Sequence, residues 1–137
     1  MEAKMVLVKL FLISIFLIAA LLWVAFGYFI FNIPPKMDDQ IVITNVTYTI
    51  SSGALALWFT IGLVHFFLGS FFQPKVRGID QINLYKRLLL GSLRRGFLFS
   101  AAAAGIVALN VFEIANLLNA GLIIGIVILV EIYFSSR

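Results

Sequence analysis

Glu131 is a carboxylate inside the apolar run Leu117–Phe134, about one helical turn from its end. A lone carboxylate in hydrocarbon costs on the order of 2.5–3.5 kcal/mol at mid-depth and less near an end. Arg94 and Arg95 open the preceding apolar run on the same side. Arg94, Arg95 and Glu131 are therefore expected to form a polar clasp that closes the base of a helical hairpin. A protonatable carboxyl in a transport path is the functional alternative, and simple snorkelling of the charge to headgroup water is the third. His65, the single histidine, falls near the middle of another apolar run. Ser14 lies at a similar depth, so a neutral imidazole hydrogen-bonded to it is the structural expectation. A proton relay is the functional one, and a haem would need a second axial ligand from elsewhere. Asn110 and Asn119 are the remaining polar candidates, with Asn116, and turn capping or hydrogen bonding between helices is their default. No nucleophile–base pair, phosphate loop or zinc spacing is present, and Ser100 has only His65 to call on. No catalytic, cofactor-binding or metal-binding residue is assigned, and the chain is read as a non-enzyme.

The elements that must position these groups follow from composition. The chain has 137 residues, 63% hydrophobic and 12% charged, with a net charge of +4 and no cysteine. Soluble domains carry about 25% charged residues, and a core of this size cannot hide such an apolar excess. Lipid is the natural solvent, and the positive charge is read as headgroup contact and topology signal, not as a nucleic-acid surface. The missing cysteines exclude disulfides, thiolate metal sites and palmitoylation.

One domain, residues 1–137, is expected, with membrane spans at about 10–31, 53–72, 97–112 and 117–134. The first run, Leu10–Phe31, would be roughly 33 Å long as a helix. It exceeds the apolar core of a signal peptide, so it is read as an uncleaved span. Trp23, Phe26, Tyr28, Phe29 and Phe31 crowd its far end as an interfacial aromatic belt. Pro34-Pro35 stops it. The β-branched stretch Ile41–Ser51 is either a short extended segment or the first turns of span two. The helix is favoured, since a lone strand has no partner in the chain. Asn45-Val46-Thr47 within this stretch is a weak glycosylation sequon on the side expected to be outside. In span two, Trp58, Gly62, His65 and Gly69 share one helix face.

Between spans two and three lies the basic segment Gln73–Gly96. Ile79, Ile82, Leu89 and Leu93 fall near one face, with Lys86 and Arg87 displaced from it. A short amphipathic cytoplasmic helix is expected here, bent near Gly91 and leading into span three. Lys75, Arg77, Lys86 and Arg87 are the expected contacts with anionic lipid headgroups. The fold class is thus all-α, an integral membrane four-helix bundle.

Charge orients it. With the N-terminus inside, every basic residue except Lys36 falls on the cytoplasmic side, while Asp38, Asp39 and Glu113 fall outside. This positive-inside asymmetry puts both termini in the cytoplasm, across an inner (plasma) membrane, and argues against dual topology. In the hairpin of spans three and four, Ala101-x-x-x-Gly105 and Gly121-x-x-x-Gly125 are small-xxx-small patterns. They are expected to face each other with Gly105 level with Gly125, or to serve a partner chain.

Arg94-x-Gly96, Asn110, Asn119 in the turn and the closing Glu131-Ile132-Tyr133 resemble a group of small, uncharacterised four-span membrane proteins of reduced-genome, candidate-phylum bacteria. In that group a similar Arg-x-Gly opens span three, a Gln or similar residue sits near its far end, an Asn starts span four, and a Glu-aliphatic-aromatic sequence closes it. A proline follows span one there, as Pro34 or Pro35 does here. The resemblance covers most of the chain and is specific in its second half. It departs at Leu117 and Leu118, where the group often has tryptophans, and in a longer first loop. It implies a fold and supplies no chemistry.

The function expected is that of a non-catalytic accessory or scaffold component of the cell envelope or a membrane complex. Its partners would be the bilayer, its anionic headgroups, and other membrane proteins or further copies of the chain. The second reading is a small transporter or channel acting as an oligomer. Four-span drug exporters use a carboxylate in the middle of span one, where this chain has no acid between Lys9 and Asp38. Four-span fluoride channels use dual topology.

Overall fold

The computed structural model of the chain describes residues 2–73 and 79–137. Four helices dominate it: α1 (Glu2–Asn32), α2 (Ile43–Phe72), α3 (Ile79–Val111) and α4 (Leu117–Ser135). Each is long and apolar enough to cross a membrane. At 1.5 Å per residue α1 to α3 run roughly 45–50 Å, while α4 reaches only about 28 Å. Between α1 and α2 sits a minimal hairpin, β1 (Lys36–Met37) paired antiparallel with β2 (Gln40–Ile41).

The stretch Ile41–Ser51 therefore divides. Ile41 ends β2, whose partner is the segment just after Pro34-Pro35, and helix begins at Ile43. Asp38 and Asp39 link the strands with φ of 49° and 61°, the left-handed pair that a two-residue hairpin loop needs to match strand twist. Non-glycine residues pay on the order of 1 kcal/mol each for it. Asp39→Gly is expected to slow amide hydrogen exchange across residues 36–41 roughly fivefold; unchanged exchange would show that the turn is not what limits opening. Val42 N–H to Pro35 O and Asn45 Nδ2–H to Pro34 O tie the loop to the start of α2.

The helices pack in sequence order. The α2–α3 interface is the most extensive and α1–α2 comes next, whereas α4 leans on α3 through a thin contact. The core lies where α1, α2 and α3 meet: Ile15, Ala19, Leu63, Phe66 and Leu89, flanked by Leu12, Phe59, Tyr85, Leu88 and Leu93. On α2 the buried stripe Val46, Gly53, Ala56, Leu63, Phe66 follows steps of seven and three. By contrast α1 is apolar all round and buries only Ile15 and Ala19, and α4 buries no residue among those described. The four-helix architecture is thus a three-helix core with α4 at its edge.

The α2–α3 crossing is set by glycines. A Cβ on Gly96 would lie 2.6 Å from Trp58 O and 2.8 Å from Gly62 N, so the two backbones touch there. Close approach of this kind lets dispersion and weak Cα–H···O contacts hold the two helices together. Trp58 Nε1–H donates to Leu93 O (2.7 Å) across the same crossing, and Trp23 Nε1–H donates to Thr60 Oγ1 (2.8 Å) between α1 and α2.

A separate amphipathic helix before span three is not what forms. Residues 79–111 are one continuous helix through Gly91 and Gly96. Two glycines cost about 1 kcal/mol each, and the good helix formers around them (Leu84 to Leu90) carry the helix through. Its amphipathic character survives inside that helix: Ile82 and Leu89 are buried, Lys86 and Arg87 exposed. Lys75 and Arg77 lie outside the described residues.

At its far end α3 stops in a Schellman pattern. Glu113 is left-handed (φ 61°), Glu113 N–H bonds Asn110 O and Ile114 N–H bonds Leu109 O. Asn116 then caps α4 by accepting from Asn119 N–H. The other end of α4 finishes beside Arg94 and Arg95, and from there α3 continues alone with α1 and α2 toward Ile79.

Candidate functional site

Three helices converge on a polar chain near the C-terminal end of α4. Glu131 Oε1 accepts from Arg95 Nε (2.8 Å), Arg94 Nη2 (3.4 Å) and Ser135 Oγ (3.0 Å). Arg95 Nη1 meets His65 Nε2 at 2.8 Å, and His65 Nδ1 meets Ser92 Oγ at 2.9 Å. A guanidinium has only donors, so Nε2 must accept. The ring proton is then assigned to Nδ1, which donates to Ser92 Oγ. A neutral imidazole on α2 thus bridges Arg95 and Ser92, one turn apart on α3. Ser92 itself is fully buried.

Charge does not balance within the chain of contacts. Two guanidiniums face one carboxylate, and the Arg94 guanidinium also lies over the Phe134 ring, 5.3 Å from its centre, a cation–π placement. Glu131 Oε2 and Arg94 Nε are buried with no hydrogen-bond partner among the described residues. The side chains are half-buried, 28% exposed for Glu131 and 35% and 40% for Arg94 and Arg95. A groove of about 300 Å³ opens between α3 and α4 and ends on Arg95 and Glu131.

Arg94, Arg95 and Glu131 therefore come together where the sequence places them, and His65 joins them. Ser14 does not serve His65; its hydroxyl donates to Leu10 O in its own helix. The signal that finds the true partner is the glycine crossing. With Gly62 against Gly96 in antiparallel helices, His65 must fall beside Ser92 and Arg95. The whole face Trp58, Gly62, His65, Gly69 looks at α3, touching Leu93, Ser92, Arg95 and Leu88.

The expected glycine zipper between spans three and four is corrected. A Cβ on Gly105 would meet Ile123 Cδ1 at 3.2 Å, while Gly121 and Gly125 have nothing within 4 Å, and Ala101 is exposed. Gly105 thus faces Ile123 and not Gly125. The Asn116 cap and the Arg95–Glu131 pair fix this register, and a branched Ile123 side chain fills the space over Gly105. Asn110 Nδ2–H donates to Ile106 O within α3, and Asn119 Nδ2–H donates to Ile114 O, folding the turn back on itself. Both serve local backbone.

At the opposite end of the helices Lys36 Nζ bonds Glu113 Oε1 at 3.0 Å. It links the β-hairpin loop to the α3–α4 turn. Both groups are well exposed, which limits such a pair to about 0–1 kcal/mol in water.

The chain is all-α, with four helices each long and apolar enough to cross a membrane, and, among the described residues, one interhelical ionic cluster. No family model, no curated protein and no solved structure matches it.

Proposed function

We propose that this chain is a multi-pass protein of the inner (plasma) membrane that acts as a non-catalytic accessory or scaffold component of an envelope complex. The observation that carries this reading is how its charged groups inside the apolar helices are used. Arg94, Arg95, Glu131 and His65 are bonded to one another and to Ser92 and Ser135, so they join α2, α3 and α4. Around them large apolar side chains lie exposed on every helix, among them Val24, Phe72, Leu90 and Leu117. A water-soluble monomer does not carry a surface of this kind; lipid and partner helices are its natural cover. The resemblance to four-span proteins of reduced-genome bacteria fits the same reading.

The start of α1, the α2–α3 connection and the end of α4 face the cytoplasm, where Lys4, Lys9, Lys86, Arg87 and Arg137 meet anionic headgroups. A periplasm-active reporter fused after Asp39 is expected to be active, and one fused after Asp80 silent. The reverse pattern would sink this orientation. In mild detergent, a monomer by light scattering that copurifies with other membrane proteins supports the accessory role. The second reading, a small oligomeric transporter or channel, rests on the unpaired Glu131 Oε2. A stable homo-oligomer whose ion flux vanishes in Glu131→Gln, with fold and assembly intact, would put it first.

A further inference from the structure

The α3–α4 groove is an apolar cavity that abuts the ionic cluster. Leu98, Phe99 and Ala102 of α3 face Ile124, Val127 and Ile128 of α4 along it, and the apolar stems of Arg95 and Glu131 close it. Its volume of about 300 Å³ is at the low end of the range for small-ligand sites, roughly 300–1,000 Å³. The wall follows both helices lengthwise, the shape of an extended chain and not of a compact molecule.

The ionic end is positive. Arg94 and Arg95 together exceed Glu131 by one charge, and His65 is neutral by the bonding argued above. The contacts within the cluster use one nitrogen of Arg94 and two of Arg95. Each guanidinium carries five N–H groups, and both side chains are more than a third exposed. The remaining exposed donors of the two guanidiniums, Arg94 Nε being buried, are therefore left for an acceptor beside the groove. Depth agrees. Glu131 lies about 6 Å from the end of α4, and α4 at about 28 Å matches the hydrocarbon thickness of roughly 30 Å. Arginines one turn inside that boundary reach the phosphate layer by snorkelling.

We propose that this groove binds one anionic phospholipid, with its phosphate on Arg94 and Arg95 and an acyl chain between α3 and α4. The site rests on the membrane reading above, and it is distinct from the diffuse headgroup contact of Lys86 and Arg87.

The test uses the full chain in nanodiscs of phosphatidylcholine with a minor share of acyl-spin-labelled phosphatidylglycerol, and labelled phosphatidylcholine as reference. Protease protection first establishes that the chain spans the disc; failure there removes the membrane reading itself. In discs that pass, phosphatidylglycerol is expected to be immobilised in preference to phosphatidylcholine by roughly fivefold, the effect of one net surface charge. The preference falls to near unity in Arg94→Gln, and also in Ala102→Phe, which fills the groove without altering charge. Equal immobilisation of the two lipids by the unsubstituted chain overturns the site. So does an unchanged preference in Ala102→Phe, which carries the test if Arg94→Gln does not fold. Displacement by added inorganic phosphate would assign a free-anion site instead. Loss in Lys86→Gln/Arg87→Gln, with retention in Arg94→Gln, would place the lipid on the surface of α3 and equally overturn the proposal.

Discussion

Gly96→Ala is expected to be the most damaging single methyl that can be added to this chain. The new Cβ would stand 2.6 Å from Trp58 O and 2.8 Å from Gly62 N. Both are backbone atoms of α2 in mid-helix and cannot swing aside as a side chain does. The helices must part by roughly 1 Å to restore contact distance. That movement stretches Trp58 Nε1–Leu93 O and pulls His65 from Ser92 and Arg95, so the loss exceeds ordinary overpacking, at about 3 kcal/mol or more. Gly62→Ala meets Leu93 Cδ2 at 3.0 Å, the end of a flexible side chain, and is expected to cost less. Gly121→Ala and Gly125→Ala meet nothing and are expected to be neutral or slightly stabilising through helix propensity. Unfolding from mild detergent into SDS, followed by helicity, ranks the four. A larger loss for Gly121→Ala than for Gly96→Ala would mean that α4, and not the α2–α3 crossing, carries the packing.

Glu131→Gln is expected to destabilise the chain by about 2–3 kcal/mol. The geometry persists, but two guanidiniums lose their common anion and Ser135 its charged acceptor. Fully buried pairs lose about 3–5 kcal/mol when broken, and exposed ones are worth about 0–1 kcal/mol. At 28% exposure for Glu131, 35% for Arg94 and 40% for Arg95, an intermediate value follows. Because Arg95 makes the shorter contact and also holds His65, Arg95→Gln should cost as much as Glu131→Gln. The double variant should be no worse than either alone, since each single change already removes the shared bond. Additive losses would show that the two residues act separately and that the cluster is no clasp.

Much of this was legible before any coordinates. Long apolar runs bounded by Pro34-Pro35 and by Asn116 leave little choice but helices. Charged residues stranded in such runs must find each other, which brings Arg94 and Arg95 to Glu131. His65 was harder, because its partner depends on where α2 and α3 cross. That crossing is written in Gly62 and Gly96, one a member of a recognised face and the other read only as part of Arg94-x-Gly96. The register of α3 on α4 misled because small-xxx-small patterns state that a helix can be approached closely, not that it is. The hairpin at Lys36–Ile41 was hidden by its turn, where Asp38 and Asp39 adopt left-handed angles without the glycine that usually advertises them. The continuity of α3 through Gly91 was hidden for the opposite reason: glycine looks like a break, but nothing packs against Gly91 and the helix formers around it carry the helix through.

The short α4 has a mechanical consequence. On one flank the molecule presents α1, with exposed apolar side chains from Leu7 to Phe31, roughly 37 Å of helix. On the other it presents a helix about 28 Å long that ends beside Arg94 and Arg95. On the membrane reading proposed above, a bilayer that fits α4 must thicken, or α1 must tilt, on the opposite flank, at fractions of a kcal/mol per Å of mismatch. The chain is in effect a wedge.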